Sequence, residues 1–425
     1  MVELERSLTL WQVTLMSIGI ILGAGIYVVI GEAAGLAGNM LWFSFIIAAL
    51  VACFTALSYA ELASRFPTAS AEYTYIEESF GNRFAWVTGW LIIAGSIIGS
   101  ATVAIGFSKY FSALFHTPLL PISLITLLII GLVLFAGVQE TASLTILFTA
   151  IEAIGLIIII FIGIPYIGSV NYLEMAQGMQ GVIEAGVLIF FGYIGFEGIT
   201  RLAGETKNPE KTIPKAILIS LVVTTVFYIL VGIAAISVVP WQELAQSEAP
   251  LALVAETVFG SNSFLILSVI ALFSTFNTAL VMLLSGSRII YGMAEKKGLP
   301  KAFAAVAKKT KTPWVAIIGV VVVSMCFTVL GDVKTVANLT NFTIFAVFII
   351  VNAAVIYFRY KKPIDTGFKS PGSIGRLPIF PVIGIITSVF MMINIEWMVF
   401  LMGLGLIAGG FFFYYLLKKS SRYLV

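Results

Sequence analysis

Two short glycine motifs lie deep inside long apolar segments, Gly-Ala-Gly at 23–25 and Gly-Phe-Glu-Gly at 195–198. Glycine eases departure from helical geometry, and an unwound stretch frees backbone amides and carbonyls that need new partners. Freed amides at the start of a half-helix suit a carboxylate, and freed carbonyls at a helix end suit an ammonium group. An α-amino acid carries both groups, so the motifs predict a site for such a ligand. The competing interpretation is close helix packing by small residues.

Two glutamates, Glu152 and Glu197, also lie within predicted apolar helices. A carboxylate at the middle of a membrane costs about 2.5–3.5 kcal/mol on insertion scales, so such residues usually face the protein interior and serve a function. Burial favours the neutral form of a carboxyl group, because desolvation penalises the charge. For Glu197 the structural alternative is an acid that accepts hydrogen bonds from the unwound backbone beside it.

The composition of the chain indicates which elements position these residues. Of its 425 residues, 60% are hydrophobic and 11% are charged, whereas a soluble domain carries about 25% charged residues. A bilayer tolerates so much apolar surface, and a spanning helix needs roughly 20 apolar residues. The sequence therefore predicts an all-α membrane protein of about twelve transmembrane helices. The predicted spans of helices 1 to 12 are 9–35, 40–62, 84–113, 119–137, 143–167, 181–204, 214–238, 262–292, 313–330, 337–359, 378–397 and 399–417.

The positive charges indicate which helix ends face the cytoplasm, because Lys and Arg favour cytoplasmic loops. With the N-terminus inside, 22 of the 24 Lys and Arg residues fall on the cytoplasmic side, and only Lys109 and Lys334 fall outside. Adding or removing one helix would move Lys and Arg residues of the downstream loops from the cytoplasmic side to the outer side. The sequence thus predicts a multi-pass protein of the plasma membrane with both termini in the cytoplasm. The net charge of +3 is too small to indicate a nucleic-acid partner.

The predicted helices divide into two groups of five within one transporter domain. Helices 1–5 occupy 9–167, helices 6–10 occupy 181–359, and two extra helices follow over 378–417. Because five is odd, the second group starts from the opposite side of the membrane, which is the inverted-repeat arrangement of many secondary transporters. The two glycine motifs occupy equivalent positions in the first helix of each group. We therefore predict that helices 1 and 6 are broken at these motifs.

Further motifs accompany the two glycine motifs between residues 19 and 300. They lie at helix breaks or at predicted cytoplasmic helix ends. They are Gly-Ala-Gly-Ile-Tyr at 23–27, Tyr-Ala-Glu-Leu at 59–62 with Phe-Pro at 66–67, Tyr-Ile-Gly-Phe-Glu-Gly at 193–198, Gly-Glu-Thr-Lys-Asn-Pro at 204–209 with Ile-Pro at 213–214, and Ser-Arg-Ile-Ile-Tyr-Gly-Met-Ala at 287–294 with Gly-Leu-Pro at 298–300.

In combination these motifs resemble those of the amino acid–polyamine–organocation (APC) superfamily, and specifically its amino-acid permeases. One departure is Ser70-Ala71, where the family often has two glycines. The resemblance implies a LeuT-like core of ten helices in two inverted repeats, with the substrate between helices 1, 3, 6 and 8. It also implies that the substrate contacts the backbone at both breaks. The implied substrate-binding residues are Ile21, Gly23, Ala24, Gly25, Phe191, Ile194, Gly195, Phe196 and Gly198.

The resemblance also implies roles for acidic and hydroxyl residues in gating and energy coupling. Related permeases carry an acidic residue at the position of Glu197, where it is associated with gating or proton sensing. Sodium-coupled relatives hold a cation between helices 1, 5 and 8, the region that Glu152 of helix 5 would face. Glu152 would carry a coupling proton, hold sodium with hydroxyls of helix 8, form one structural hydrogen bond as a neutral acid, or pair with a nearby base. The hydroxyl candidates are Ser274, Thr275 and Thr278.

Other functional classes fit the sequence less well. A membrane enzyme would need clustered His, Cys or acidic residues at one face, and the chain has one histidine, His116. A channel seldom requires two broken helices in antiparallel halves, and no nucleotide-binding motif supports ATP-driven transport. We therefore expect a secondary active transporter that works by alternating access, either coupled to protons or by exchange.

The expected substrate is a neutral, apolar amino acid, because the segments at the breaks contain no cationic side chain. Transport of polyamines or other organic amines is the alternative, and the acidic residues Glu197 and Glu152 leave it open. We expect no cofactor and no metal site. The expected coupling ion is a proton or a sodium ion. The sequence is compatible with a monomer or a homodimer.

Overall fold

The computed structural model describes residues 8–67, 71–330, 332–362 and 367–419 of the chain. Ser70, Arg6 and Arg422, which entered the family comparison or the charge count, lie outside these ranges. The described chain is almost entirely helical. Its α-helices are α1 Leu10–Leu22, α2 Gly25–Ala37, α3 Leu41–Arg65, α4 Ala71–Phe80, α5 Asn82–Phe115, α6 Leu119–Ala136, α7 Val138–Gly163, α8 Gly178–Ile189, α9 Pro209–Val238, α10 Trp241–Gln246, α11 Pro250–Phe259, α12 Ser261–Glu295, α13 Trp314–Thr328, α14 Val333–Lys361, α15 Ile379–Ile393 and α16 Trp397–Lys419.

Nine helical segments of the described chain are long and apolar enough to cross a membrane. One of them, Gly25–Arg65, contains both α2 and α3. Four further apolar helices, which include α13 and α15, have 10–17 residues. The predicted all-α membrane fold is thus confirmed, whereas the number of twelve spans stays a prediction.

Apolar side chains cover the outside of the helix bundle as well as its interior. The most apolar windows of α5 and α14 are 89% and 78% buried, so these two helices lie near the centre. The corresponding windows of α6 and α16 are only 33% and 22% buried. Large apolar side chains such as Leu132 of α6 and Phe412 of α16 are exposed on the surface, where a bilayer would cover them.

One end of the bundle gathers segments from the loops that carry most of the positive charge. Leu8 forms a bridge with Thr206, which joins the start of the described chain to the segment before α9. Trp86 of α5 donates its Nε1 hydrogen to the carbonyl of Gly298, just beyond α12, at 2.7 Å. Ser64 at the end of α3 donates a hydrogen bond to the carbonyl of Glu210 at 2.8 Å, and Lys296 lies over the ring of Tyr73 in the following α4, so the 204–209 and 298–300 motifs lie at the same end.

Glu174 organises the opposite end of the bundle. Its two carboxylate oxygens accept hydrogen bonds from Asn39 at 2.9 Å and from Trp241 at 3.1 Å, and these residues come from three connections. Lys109 and Glu32 form an ion pair of 3.0 Å near the same ends of α5 and α2. This grouping agrees with the predicted alternation of loops. Which end faces the cytoplasm stays a prediction.

Several short elements are absent from the sequence-based assignment because they are too short to span a membrane. α4 follows the Tyr-Ala-Glu-Leu motif, and α10 and α11 lie between α9 and α12. A small antiparallel hairpin, β1 Ser373–Ile374 and β2 Leu377–Pro378, precedes α15. In the main bundle α3 packs against α9 and α5 packs against α12, pairs that the predicted inverted repeat relates to each other. The division into two repeats itself stays a prediction.

Candidate functional site

The first predicted helix is interrupted at its glycine motif. α1 ends at Leu22 and α2 begins at Gly25, so Gly23 and Ala24 lie outside both helices. The backbone amide of Ala24 donates a hydrogen bond to Oγ1 of Thr278 in α12 at 2.7 Å. A Cβ atom placed on Gly23 would overlap the same hydroxyl group. The break is therefore built around a hydroxyl supplied by α12.

The sixth predicted helix also leaves α-helical geometry at its glycine motif. α8 ends at Ile189, a 3₁₀ turn continues to Tyr193, and a second 3₁₀ helix covers Phe196–Glu205. Between them Gly195 has a φ of 126°, in the region that favours glycine. Its amide donates a hydrogen bond to Oε2 of Glu197 at 2.9 Å. Glu197 thus makes the contact that its structural interpretation requires, and its role in gating stays a prediction.

The two breaks lie directly against each other. A Cβ atom placed on Gly25 would overlap Cα of Gly192, which belongs to the 3₁₀ turn of the second break. A Cβ atom on Gly195 would lie 2.7 Å from Cγ2 of Ile20 in α1. Glycine therefore allows the two backbones to approach, and the polar groups freed at both breaks share one small region.

The other predicted substrate-binding residues differ in their surroundings. Ile21 and Phe191 are buried beside the two breaks, and Ile194 is half-buried in the extended stretch before Gly195. Gly198 has open space around it, because no atom lies within 4 Å of a Cβ placed there. A tight fit thus distinguishes Gly195 from Gly198, which the sequence pattern treats alike.

Phe196 packs against two other helices. Its ring is fully buried and lies 5.8 Å from the ring of Tyr59 in α3 and 5.5 Å from the ring of Phe348 in α14. Both distances are typical of aromatic pairs in protein cores. The 3₁₀ helix that begins at Phe196 is thus anchored by aromatic contacts from α3 and α14.

Glu152 of α7 is fully buried, and neither of its carboxylate oxygens has a hydrogen-bond partner in the described part of the chain. Its polar neighbours on α12 are Ser274 and Asn277. Asn277 donates a hydrogen bond from Nδ2 to Oγ1 of Thr149, one turn before Glu152, at 3.2 Å. The oxygens of Ser274 and Asn277 also lack partners among the described residues. α7 and α12 therefore enclose a cluster of unpaired polar groups around one acid.

This polar cluster extends to both halves of the first broken helix. Tyr27 of α2 donates its hydroxyl hydrogen to the carbonyl of Glu152 at 3.0 Å. On the other side of the break, Gly19 of α1 lies against Thr149, and the hydroxyl of Ser17 is buried with no partner in the described chain. The acid therefore lies where the broken helix meets α7 and α12.

The three hydroxyl candidates of α12 have different partners. Ser274 is the one that neighbours Glu152. Thr275 donates to the carbonyl of Ala271 in its own helix at 2.8 Å, and Thr278 accepts the hydrogen bond from the break. Asn277 was not predicted from the sequence, although an amide three residues after Ser274 lies on the same face of a helix.

Tyr228 of α9, which was also not predicted from the sequence, contacts both breaks through its hydroxyl. Its Oη lies 2.6 Å from the carbonyl oxygen of Ile21 and 2.8 Å from that of Gly192. A tyrosine within a long apolar helix gives no signal of such a contact in the sequence, because aromatic residues are common there.

Comparison with known proteins relates this architecture to membrane permeases. Residues 8–417 match the sequence profile of a family described as amino acid permease. The branched-chain amino acid permease BcaP of Bacillus subtilis (strain 168) is 30% identical over 419 residues, which cover 93% of this chain and 89% of the relative. The methylthioribose transporter of the same organism is 31% identical over 414 residues, with 91% and 87% covered. The vacuolar cationic amino acid transporter 4 of Arabidopsis thaliana is 27% identical over 393 residues, with 85% and 64% covered.

Proposed function

The chain belongs to the amino acid permease family, and on this premise we propose that it moves neutral, apolar amino acids across the cell membrane by alternating access. It is a multi-pass membrane protein and an amino acid transporter, and it is not an enzyme. Family membership does not determine the substrate class, the residues that contact the substrate or the source of energy, and we propose each of these below.

The observation that carries the proposal is the contact between the two backbone breaks. Gly25 and Gly192 let the two backbones touch, so the polar groups freed at both breaks share one small region where a ligand with polar ends can contact them. Backbone amides and carbonyls then contact the α-carboxylate and α-amino groups that every amino acid carries. The predicted substrate-binding residues at the breaks fit this role, since they offer backbone groups and apolar side chains such as Ile21 and Phe191.

The preference for a neutral side chain rests on the charges beside the breaks. The described residues that line them include no cationic side chain, so an acidic substrate would bring an unpaired charge into a buried site. Glu197 is acidic, but one of its oxygens already accepts the hydrogen bond from Gly195. Relatives with names of branched-chain amino acid permeases in two bacteria support the same choice.

Transport of cationic amino acids or organic amines is the second candidate. It is favoured by two relatives whose names describe cationic amino acid transporters of Arabidopsis thaliana, at 27% and 26% identity. Within the structure Glu152 and Glu197 are the acids that an extra ammonium group would need. Glu152 is fully enclosed, and this favours the neutral substrate over the cationic one.

A competition experiment separates these candidates. Purified protein in liposomes should take up radiolabelled leucine, and excess valine, isoleucine or alanine should inhibit that uptake. Lysine, arginine, putrescine, spermidine and methylthioribose should leave uptake unchanged. Inhibition by lysine, arginine or the diamines alone would contradict the neutral substrate and support the cationic one.

For energy coupling we propose that Glu152 carries a proton through the transport cycle. An ionised carboxylate without partners is costly in a dry interior, so Glu152 holds a proton while it is enclosed and releases it when water enters. A purely structural neutral acid would instead donate its O–H to one of the unpaired oxygens beside it, on Ser274 or Asn277, and Glu152→Gln separates this alternative from proton coupling. A sodium site would draw on Ser274, Thr275 and Thr278. The hydroxyls of Thr275 and Thr278 already have hydrogen bonds, so this alternative depends on Ser274 beside Glu152, and ion gradients must separate it from proton coupling.

Ion gradients imposed on the same liposomes test this coupling. With sodium absent on both sides, a pH gradient that is acidic outside should drive leucine above its equilibrium level. Accumulation that requires a sodium gradient and ignores pH would contradict the proton proposal. Gating and proton sensing by Glu197 remain separate predictions, which this experiment does not address.

A further inference from the structure

The hydroxyl of Tyr228 lies between the freed backbones of both broken helices. Its Oη is 2.6 Å from the carbonyl oxygen of Ile21 and 2.8 Å from the carbonyl oxygen of Gly192. A continuous α-helix would pair the carbonyl of Ile21 with the amide of Gly25. Because α1 ends at Leu22, that carbonyl bonds to the tyrosine of α9 instead.

Both carbonyls belong to the negative ends of half-helices. Ile21 lies in the last turn of α1, and Gly192 lies in the 3₁₀ turn that ends the α8 segment. Helix C-termini carry partial negative charge, so two of them directed at one point favour a cation there. Without a shared donor, the two carbonyl oxygens would repel each other and move apart.

One hydroxyl cannot satisfy both carbonyls. The phenolic group has a single hydrogen, whereas each carbonyl oxygen has two lone pairs, so acceptor capacity is left over at this point. An ammonium group brings three N–H donors and a full positive charge, and the hydroxyl oxygen can itself accept one of them. The arrangement therefore has the donors and acceptors that a substrate amine needs.

The ring of Tyr228 is held firmly in place. It is fully buried, and its centroid lies 5.2 Å from the ring of Tyr193 and 5.9 Å from the ring of Phe45. The ring also packs against the backbone of Gly192, where an added Cβ would be in ordinary contact with Cε2 of Tyr228 at 3.4 Å. The hydroxyl thus has a fixed position relative to both carbonyls.

We propose that Tyr228 is the positioning residue for the ammonium group of the substrate. It holds the carbonyls of Ile21 and Gly192 toward one point, where the ammonium replaces the bond that the hydroxyl releases. The inference rests on the proposed transport of amino acids, because it assigns a role at that same site. It adds α9 to the helices that determine binding.

The test compares Tyr228→Phe with Tyr110→Phe as a matched control. Both tyrosines are buried, and the hydroxyl of Tyr110 in α5 donates to the carbonyl of Tyr27 in α2 at 3.1 Å, so it contacts neither of the two carbonyls that Tyr228 holds. In purified protein, Tyr228→Phe should raise the Kd for leucine about tenfold, the effect expected for one lost hydrogen bond at a charged group. Tyr110→Phe should leave the Kd within about twofold of wild type.

A ligand without the amine gives a readout that a merely structural role would not change. 4-Methylpentanoate is leucine without its amino group, and wild-type protein should bind it more weakly than leucine. In Tyr228→Phe the difference between the two ligands should shrink, because the amine then loses its positioned partners. An unchanged difference would mean that Tyr228 acts only through packing, and would overturn the inference.

A second replacement keeps the proposal testable if Tyr228→Phe does not fold. 4-Aminophenylalanine at position 228 offers two N–H donors, one for each carbonyl, and should retain a Kd within about threefold of wild type. A tenfold rise in this variant, or equal rises in Tyr228→Phe and Tyr110→Phe, would contradict the proposal. If wild-type protein binds no neutral amino acid at all, the proposed function fails first, and that result is distinct from a failure of the Tyr228 assignment.

Discussion

The backbone amide of Ala24 and the hydroxyl of Thr278 are joined by a 2.7 Å hydrogen bond across the centre of the bundle. The two residues are 254 positions apart in the chain, so the break in the first helix depends on packing against α12. From the sequence, Ala24 was predicted to contact the substrate through its backbone, and Thr278 was one of three hydroxyl candidates for an ion site. The structure pairs the two groups with each other.

Replacing Thr278 with Val should destabilise the protein. The change keeps the shape of the side chain but leaves the buried amide of Ala24 without its partner, which costs about 1–3 kcal/mol. The apparent melting temperature of purified Thr278→Val should fall below that of wild type. Thr275→Val is the control, because the hydroxyl of Thr275 only donates to a carbonyl of its own helix. Equal stability of the two variants would show that the break does not need the hydroxyl.

The tightly fitted glycines should not tolerate even a methyl group. Gly25→Ala places a Cβ on the backbone of Gly192, and Gly195→Ala combines a φ of 126° with a clash against Ile20. We expect both variants to insert into the membrane at near-normal levels and to lose transport, as we expect for the larger change to Leu.

Gly405→Ala is the control for this pair, because Gly405 of α16 lies outside both breaks and a Cβ placed there meets no neighbouring residue within 4 Å. It should retain at least half of wild-type uptake per inserted molecule. A twofold loss of uptake corresponds to roughly 0.4 kcal/mol, which is the size of effect expected for a minor change in an open position. Wild-type uptake by Gly25→Ala and Gly195→Ala would instead show that these residues serve only packing.

An ion pair joins α3 and α14 at the end of the bundle that is predicted to face the cytoplasm. Arg359 of α14 donates two hydrogen bonds to Glu61 of α3 at 2.6 and 2.7 Å, and the amide of Ser370 donates to the same carboxylate at 2.8 Å. Glu61→Gln should lower the free energy of unfolding by about 1–3 kcal/mol, a value between those for exposed and buried ion pairs.

The pair of Lys362 and Glu78 supplies a matched comparison. Both of these side chains are about half exposed, and their single contact is 3.1 Å long. Glu78→Gln should therefore change stability by less than about 1 kcal/mol. If Glu61→Gln and Glu78→Gln have the same small effect, the 59–62 motif has no stabilising role through this contact.

The sequence was informative where the physical cause is local. An apolar run longer than about 20 residues requires a membrane, and a glycine pair inside it allows unwinding, so both breaks could be located by position. The positive φ of Gly195 is another local feature, because glycine adopts such a φ at little cost. The unpaired state of Glu152 also agrees with its isolation in an apolar run.

Contacts between distant helices could not be predicted in the same way. Tyr228 and Ile21 are 207 positions apart, and their contact depends on the path of α9 across both breaks. The partner of Thr278 was missed for the same reason, since a hydroxyl in a helix has many possible acceptors and donors. The short helices α4, α10 and α11 lack the length that makes a spanning segment recognisable.

The central claim is that Glu152 carries the coupling proton, and Glu152→Gln tests it most directly. Glutamine keeps the size of the side chain and its ability to form hydrogen bonds, but it cannot exchange a proton in this way. Glu184→Gln serves as the control, because Glu184 interacts with Gln180 at the opposite end of α8 from the break. Each protein is reconstituted in liposomes and measured for leucine exchange and for accumulation under a pH gradient. We predict that Glu152→Gln exchanges leucine yet fails to concentrate it, while wild type and Glu184→Gln do both. Full gradient-driven accumulation by Glu152→Gln would contradict the claim.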